Sequence, residues 1–440
     1  MRLSKQRRLD IIDALRRGTV PKSSLDAFAV GLDPFLETID QELKRAKGGR
    51  SVFKAVRGEY GCGKTFFARW MAERAKRLGF ATSEIQISET ETPLYRLEKV
   101  YRRIIERLST SDTPDGAFRN ILDAWFYALE RDVLASKEVD ENNESLLIAK
   151  TDELMERRLA SLGEKAQAFS LALRGYRKAQ TQGDQATADG IAAWLAGQPN
   201  VAAAAKRFAG IKGDIDHYGA LTSLQGVLSI LSDSGYSGLL LVLDEVETIQ
   251  RMRSDVRDKS LNALRQLIDE IDGGRFPGLY LMITGTTAFF VGQQGIQRLE
   301  PLAQRLHVDF KTDARFDNPR APQIRLSAFD LERLCEVGIS IRDIYAKHAN
   351  SPDRVRELCS DQYVKDLAKA VAGKLGGKVG IAPRVFLKKL VSDVLDRVDQ
   401  FADFNPREDY SLTINSSELT DVERQAASAT SVDDIELDLE

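Results

Sequence analysis

Two uninterrupted apolar runs stand out in a chain otherwise patterned at helical spacing: Leu239-Leu240-Leu241-Val242-Leu243 and Leu279-Tyr280-Leu281-Met282-Ile283. Runs of this length read as strands buried on both faces of a sheet. Phe53-Lys54-Ala55-Val56 reads as a short strand feeding a glycine-rich turn, Glu84-Ile85-Gln86-Ile87 alternates as another, and His307 to Phe310 is strand-like. Helical periodicity fills the intervals. It is carried by Ile11, Ile12 and Leu15, by Pro34 to Lys47, by Thr65 to Arg77 and by Tyr95 to Leu108. Strands separated by helices predict an α/β fold with a parallel sheet.

The same pattern divides the chain. The predicted α/β core comes in two parts, 1–113 and 217–327, separated by a stretch at 114–216 that is helical throughout. A helical region at 328–405 follows, read as a lid, and then a polar, acidic segment at 406–440 expected to be disordered. At 440 residues, two to four compact units are the ordinary expectation. No internal repeat is visible.

Composition narrows the class. Hydrophobic residues are 43% and charged residues 29%, enough apolar surface for a buried core. No window approaches 18 consecutive apolar residues, so no membrane association is expected, and no secretory apolar stretch follows the basic Met1–Arg8, so the protein is expected in the cytoplasm. Cys62, Cys335 and Cys359 are too few and scattered for a disulfide framework or a zinc site, and His217, His307 and His348 lack metal-ligand spacing. The net charge of −3 hides an asymmetry: Glu418 to Glu440 holds eight acids against Arg424, which leaves about +4 on the rest. That balance permits nucleic-acid binding without arguing for it.

The chemistry begins at Gly58-Glu59-Tyr60-Gly61-Cys62-Gly63-Lys64-Thr65, which satisfies G-x-x-x-x-G-K-[ST] between a predicted strand and a predicted helix. Glycines there let backbone N–H groups close around phosphate oxygens, and the helix N-terminus adds partial positive charge. Lys64 is expected to neutralise the β- and γ-phosphates of ATP, and the Thr65 hydroxyl to ligate Mg²⁺. Asp244, after the apolar run, is expected to hold the metal through its water shell, with Glu245 as general base. An aspartate-glutamate pair after a strand is also good helix-capping chemistry. Glu247 reads as a surface or supporting residue. Thr284, at the end of the strand Leu279–Ile283, is a candidate to orient the lytic water. Arg298 and Arg305 lie in an interval from which, in ring ATPases, an arginine reaches the neighbour's γ-phosphate. Arg384, beside Pro383 in the helical lid, is a candidate second phosphate-contacting arginine. Cys62 reads as a small side chain suited to a tight turn, and Trp70, Trp125 and Trp194 as core.

These features together resemble the AAA+ superfamily, in the broad branch of origin-recognition and archaeal-type ATPases. More narrowly the chain is similar to the BREX phage-resistance ATP-binding family, particularly its shorter BrxD-like members. The resemblance is carried by Ile11–Pro21, Ala29-Val30-Gly31, Arg57–Thr65, Trp194-Leu195-Ala196-Gly197, Gly235–Leu239, Asp244-Glu245-Val246-Glu247, Ala382-Pro383-Arg384 and Leu390-Val391, and spans most of residues 9–396. It implies a five-stranded parallel core, a helical lid and ATP hydrolysis within an oligomer, in bacterial defence against phage. It also places Val20, Pro21 and Gly31 near the adenine. One departure is the 178 residues between Thr65 and Asp244, more than a compact core of this kind needs, so 114–216 reads as an insert.

The leading expectation is an ATPase that assembles as a ring or open spiral and acts on DNA or on a partner nuclease, helicase or methyltransferase. Candidate DNA contacts are Arg2, Lys5, Arg7, Arg8, Arg16 and Arg17, and the charged run Lys150 to Lys178 makes the insert a candidate partner-facing element. The alternative is an ATP-gated signalling or scaffold switch with slow hydrolysis and no direct DNA role. A small-molecule kinase is disfavoured because no acceptor-site carboxylate or lid-arginine pattern of that class stands out.

Overall fold

A computed structural model describes residues 3–136, 139, 143–160, 167–375, 382–415, 418, 419 and 424. Five parallel strands form its sheet: β1 (Val52–Arg57), β2 (Ala81–Gln86), β3 (Leu239–Asp244), β4 (Leu279–Gly285) and β5 (Gln323–Arg325), in the order β2-β3-β4-β1-β5. The fifth strand is not where the sequence pattern puts it. His307 to Phe310 has no strand pairing, and Gln323–Arg325 takes the edge beside β1 instead. The Asp309 side chain accepts from the Lys311 N–H and turns the chain there. Phe310 instead supplies a ring to the guanidinium groups of Arg57 and Arg325, 4.4 and 5.1 Å from its centroid.

Strand periodicity explains how the two layers of helices divide. Leu239, Leu241, Leu243, Leu279, Leu281 and Ile283 point into one core, while Leu240, Val242, Tyr280 and Met282 point into the other. The first core is closed by α4 (Leu97–Glu106), α5 (Phe118–Ala135), α6 (Glu144–Leu159), α7 (Gln167–Thr181), α8 (Gln185–Leu195), α9 (Ala203–Ala209), α10 (His217–Asp233) and α11 (Ser254–Asp272), with the short α12 (Thr287–Val291) and α13 (Glu300–Arg305). The second is closed by α1 (Lys5–Arg16), α2 (Asp33–Lys47), α3 (Lys64–Arg77) and α14 (Leu331–Ala346), and by α15 (Pro352–Leu358), α16 (Asp361–Lys374), α17 (Ala382–Lys388), a π-helical turn at Lys389–Leu395 and α18 (Asp396–Gln400).

The helices at 114–216 share one continuous core with the sheet: Trp125, Tyr176 and Trp194 cluster with Leu239, Leu241 and Leu243. Trp70, Trp125 and Trp194 are all buried, as expected of core tryptophans. Within the charged run Lys150 to Lys178, part of which lies outside the described residues, Arg158 reaches Asp132 and Asp233, and Arg174 pairs with Glu156. Past 406 the chain keeps packing. Tyr410, Leu412, Ile414 and Leu419 lie against the second core, and Glu418 pairs with the buried Lys389 at 2.8 Å. Of the expected acidic tail, residues 416, 417, 420–423 and 425–440 lie outside the described residues. Among the described residues, no helix is long and apolar enough to cross a membrane.

Candidate functional site

Sheet register brings the chemistry together. β1, β4 and β3 are neighbours, with Val56 opposite Thr284 and Leu243 opposite Ile283, so the glycine loop after β1, Thr284 and Asp244 emerge side by side at the carboxyl ends of the strands. That is where parallel α/β sheets bind ligands.

The loop closes tightly. Gly61 and Gly63 have φ of +78° and +93°, a region where a Cβ is strained, and Gly63 precedes the first residue of α3. A Cβ on Gly58 would lie 2.4 Å from Cys62 Sγ and 3.1 Å from the Leu326 carbonyl oxygen. Cys62 is buried and burial pushes its thiol pKa up, which suits a small packing group. Glu59 is exposed, and the Tyr60 ring centroid lies 5.2 Å from Lys64 Nζ. Lys64 is 8% exposed and donates to the carbonyls of Gly58 (2.9 Å) and Glu59 (3.0 Å).

Asp244 is the hub of the carboxylate side. Its Oδ2 accepts from Thr65 Oγ1 at 3.1 Å, and its Oδ1 accepts from Thr284, which is fully buried. Thr284 Oγ1 in turn accepts from the Glu245 N–H at 3.3 Å. The backbone of Glu245 is left-handed (φ 58°, ψ 44°), a conformation rare for a residue with a Cβ, and it turns the chain sharply out of β3. Gln86, at the end of β2, donates to Glu245 Oε2. Glu84 on the same strand is held near Arg69 at 3.2 Å, and burial raises its pKa despite that arginine.

The base side of the expected pocket is clamped to α3. Arg69 donates to the Val20 carbonyl at 2.6 Å, Glu73 accepts from the Ser24 and Leu25 N–H groups at 2.9 Å each, and Trp70 donates to Asp26 at 2.7 Å. Pro21 is buried, and Gly31 (φ +74°) lets Arg333 of α14 approach within 3.2 Å of where a Cβ would sit. Phe329, just before α14, comes within 3.7 Å of the corresponding point on Gly63. The start of α14 therefore touches both the Gly31 loop and the phosphate loop. Arg384 lies beside Gly18 and donates to the Glu418 carbonyl at 2.8 Å.

Arg298 and Arg305 are committed elsewhere within this chain. Arg298 binds Asp258 and donates to Ser254 Oγ at 2.7 Å, and Arg305 pairs with Asp269, all on α11. Of the basic residues near the N-terminus, Arg16 donates to Asp396 at 2.7 and 2.8 Å, Lys5, Arg7 and Arg17 are exposed, Arg8 is half-buried, and Arg2 lies outside the described residues.

Sequence reasoning missed Gln86, Phe329 and Arg333, and left Glu247 open between a surface and a supporting place. Glu247 is buried, not superficial: it is 6% exposed and its carboxyl pKa is pushed up to about 7, chiefly by burial and against the pull of Lys64. The 3-10 turn at Val246–Arg251 folds it inward.

The parallel sheet, and the glycine loop running into a helix N-terminus, are those of an α/β nucleotide-binding protein of the phosphate-loop class. The chain belongs to the BREX system ATP-binding protein BrxC/D family, whose model matches residues 3–414. A search of the curated proteins finds no match.

Proposed function

We propose that this protein is an AAA+ ATPase of a bacterial phage-defence system, located in the cytoplasm, that hydrolyses Mg·ATP in an oligomer to act on DNA or on a partner nuclease, helicase or methyltransferase. The observation that carries the reading is the meeting of Lys64, Thr65, Asp244, Glu245 and Thr284 at adjacent strand ends. The strand order with β1 between β4 and β5, and the helices after 328 packed around α1, support the AAA+ assignment.

In this reading Gly58 to Thr65 wrap the polyphosphate, and Lys64 exchanges the Gly58 and Glu59 carbonyls for phosphate oxygens. The hydroxyl of Thr65 and the carboxylate of Asp244 already meet at 3.1 Å, an all-oxygen donor set suited to Mg²⁺. Bound there, the metal would neutralise phosphate charge. Glu245 takes the proton of the attacking water, and Thr284 holds the backbone N–H of Glu245 and a carboxylate oxygen of Asp244 in register. Val20, Pro21 and Gly31 contribute the adenine side. Arg384 supplies lid charge to the phosphates, and Arg298 or Arg305 serves the neighbour's site after exchanging its α11 carboxylate.

A second reading, an ATP-gated signalling or scaffold switch with slow hydrolysis and no direct DNA role, draws on the Gln86 bond, which engages one oxygen of the base Glu245. ATP turnover with and without DNA separates the two. Turnover that rises with DNA supports the first reading; slow turnover indifferent to DNA, with no change in mass on adding ATP, supports the switch.

A further inference from the structure

The last turn of α2 concentrates positive charge. Lys44, Arg45 and Lys47 are exposed, and so is Arg50 just beyond the helix. None of the four makes an ion pair or a side-chain hydrogen bond among the described residues. The acids of the same helix are engaged elsewhere. Glu42, in the same turn, points into the core against Lys54 at 2.6 Å, and Asp40 is held by Arg74 at 2.8 Å. Glu37, two turns back, accepts from Gln41. The helix dipole favours cations in a last turn, but Arg50 lies past the reach of that effect.

Backbone bonds hold these charges together. Gly49 has φ +81° and its N–H donates to the Ala46 carbonyl at 2.9 Å, while the Arg50 N–H donates to the Arg45 carbonyl at 3.2 Å. The chain therefore curls back, and Arg50 returns to the turn that carries the other three. A Cβ on Gly49 would meet nothing within 4 Å, so the turn is open to solvent. Ser51 Oγ donates to the Phe276 carbonyl at 2.9 Å and ties the turn to the loop before β4. β1 starts at Val52 and ends at Arg57, beside the phosphate loop. The cations thus stand at the opposite end of the sheet, about 20 Å away, where a bound polyanion leaves the nucleotide site open.

The composition of this surface selects its partner. Leu43 and Ala46, the apolar residues of the turn, are fully buried. No exposed apolar or aromatic side chain lies between 40 and 51 to enter a bilayer, anchor a protein interface or stack on unpaired bases. Clustered cations without such an anchor fit a regular array of phosphates, and guanidinium groups suit phosphate oxygens. Resting on the reading that this protein acts on DNA, we infer that Lys44, Arg45, Lys47 and Arg50 form a surface that grips the phosphate backbone of duplex DNA without regard to sequence. It is separate from the cations near the N-terminus, of which Arg16 is taken by Asp396.

The test is fluorescence anisotropy of a labelled duplex of arbitrary sequence, titrated with the full chain at several NaCl concentrations. The variant carrying Lys44→Gln, Arg45→Gln, Lys47→Gln and Arg50→Gln is expected to bind at least about tenfold more weakly. Its dependence of log affinity on log salt should flatten by about 3–4, close to 0.9 per lost phosphate contact. Arg50→Gln alone, outside any helix, should flatten it by about 1 and decides the matter if the fourfold variant does not fold. ATP turnover without DNA is expected to stay at the wild-type level in both. Lys5→Gln, Arg7→Gln and Arg17→Gln combined control for net charge and should change the slope by less than about 1. An unchanged slope in the fourfold variant, or a loss as large in the N-terminal control, overturns the inference. So does a wild-type chain that binds phosphatidylserine vesicles through these residues but binds no duplex. Duplex binding and DNA-stimulated turnover that survive in the fourfold variant remove only this surface; no duplex binding by wild type at low salt removes the DNA reading with it.

Discussion

Breaking the buried ion pair under the sheet should destabilise this protein more than any surface ion pair would. Lys54 on β1 is 2% exposed and Glu42 on α2 is 6% exposed. The three donors of the ammonium are matched by Glu42 Oε1 at 2.6 Å and the carbonyls of Pro319 and Ala321 at 3.0 and 2.8 Å. Tyr280 on β4 donates to the other Glu42 oxygen at 2.5 Å. Lys54→Met leaves a buried carboxyl with Tyr280 as its remaining donor and two carbonyls without theirs, a loss of about 3–5 kcal/mol. At about 2 cal/mol/K of unfolding entropy per residue, that is a fall of roughly 3–6 °C in Tm if the chain melts as one unit. Pairing it with Glu42→Leu removes the stranded charge and should recover most of the loss, a coupling of about 2–3 kcal/mol in a double-mutant cycle. The cycle is read by thermal melts of the four proteins. A Lys54→Met protein as stable as wild type, or a double variant no better than the sum of the singles, would refute the argument. Activity should follow stability, because Lys54 ties the strand that feeds the phosphate loop to the chain entering β5.

Gly58→Ala should weaken nucleotide binding at least about tenfold, and Cys62→Ala in the same chain should restore part of it by removing the sulfur while the Leu326 carbonyl contact remains; a fluorescent-nucleotide titration reads both. Thr284→Val, which deletes a donor to Asp244 and an acceptor for the Glu245 N–H, should lower ATP turnover about 10–100-fold with a melting temperature within a few degrees of wild type, and Thr284→Ser should retain activity. Because the carboxyl pKa of Glu247 is raised by folding, the destabilisation it causes is absent below the ordinary carboxylate range and complete above about 7. Glu247→Gln should therefore melt a few degrees higher than wild type at pH 8 and at the same temperature at pH 5.

The phosphate loop and the two apolar strands were legible because each is a contiguous pattern with a strong physical reading, and the place of Asp244-Glu245 followed from the strand before it. The long run Leu239–Leu243 needs both faces of a sheet, and the structure gives it both. β5 was not legible: at three residues it has no periodicity, and its place is set by pairing with β1 and by the Pro322 carbonyl accepting from Ala55 N–H. His307 to Phe310 had the composition of a strand, but the edge beside β1 is taken by Gln323–Arg325. Gln86 was hidden as an ordinary strand-end polar residue. Its role depends on β2 lying beside β3, a long-range pairing that local pattern does not carry. Glu247 was left open between surface and interior because charge in an acidic tetrapeptide can read as exposure, whereas the left-handed backbone at Glu245 turns the next residues inward. The arginines show the same limit: Arg298 and Arg305 are spaced as expected, yet their partners on α11 are set by tertiary packing.

Single-site substitution of the proposed base is the most direct test. Glu245→Gln keeps the volume of the side chain and an acceptor for Gln86, but its amide cannot take a proton from water. Nucleotide binding and phosphate release measured on the same preparation should show Mg·ATP bound at least as tightly as by wild type and turnover lowered by about 10² or more. Turnover at the wild-type rate by the Glu245→Gln protein would contradict the account.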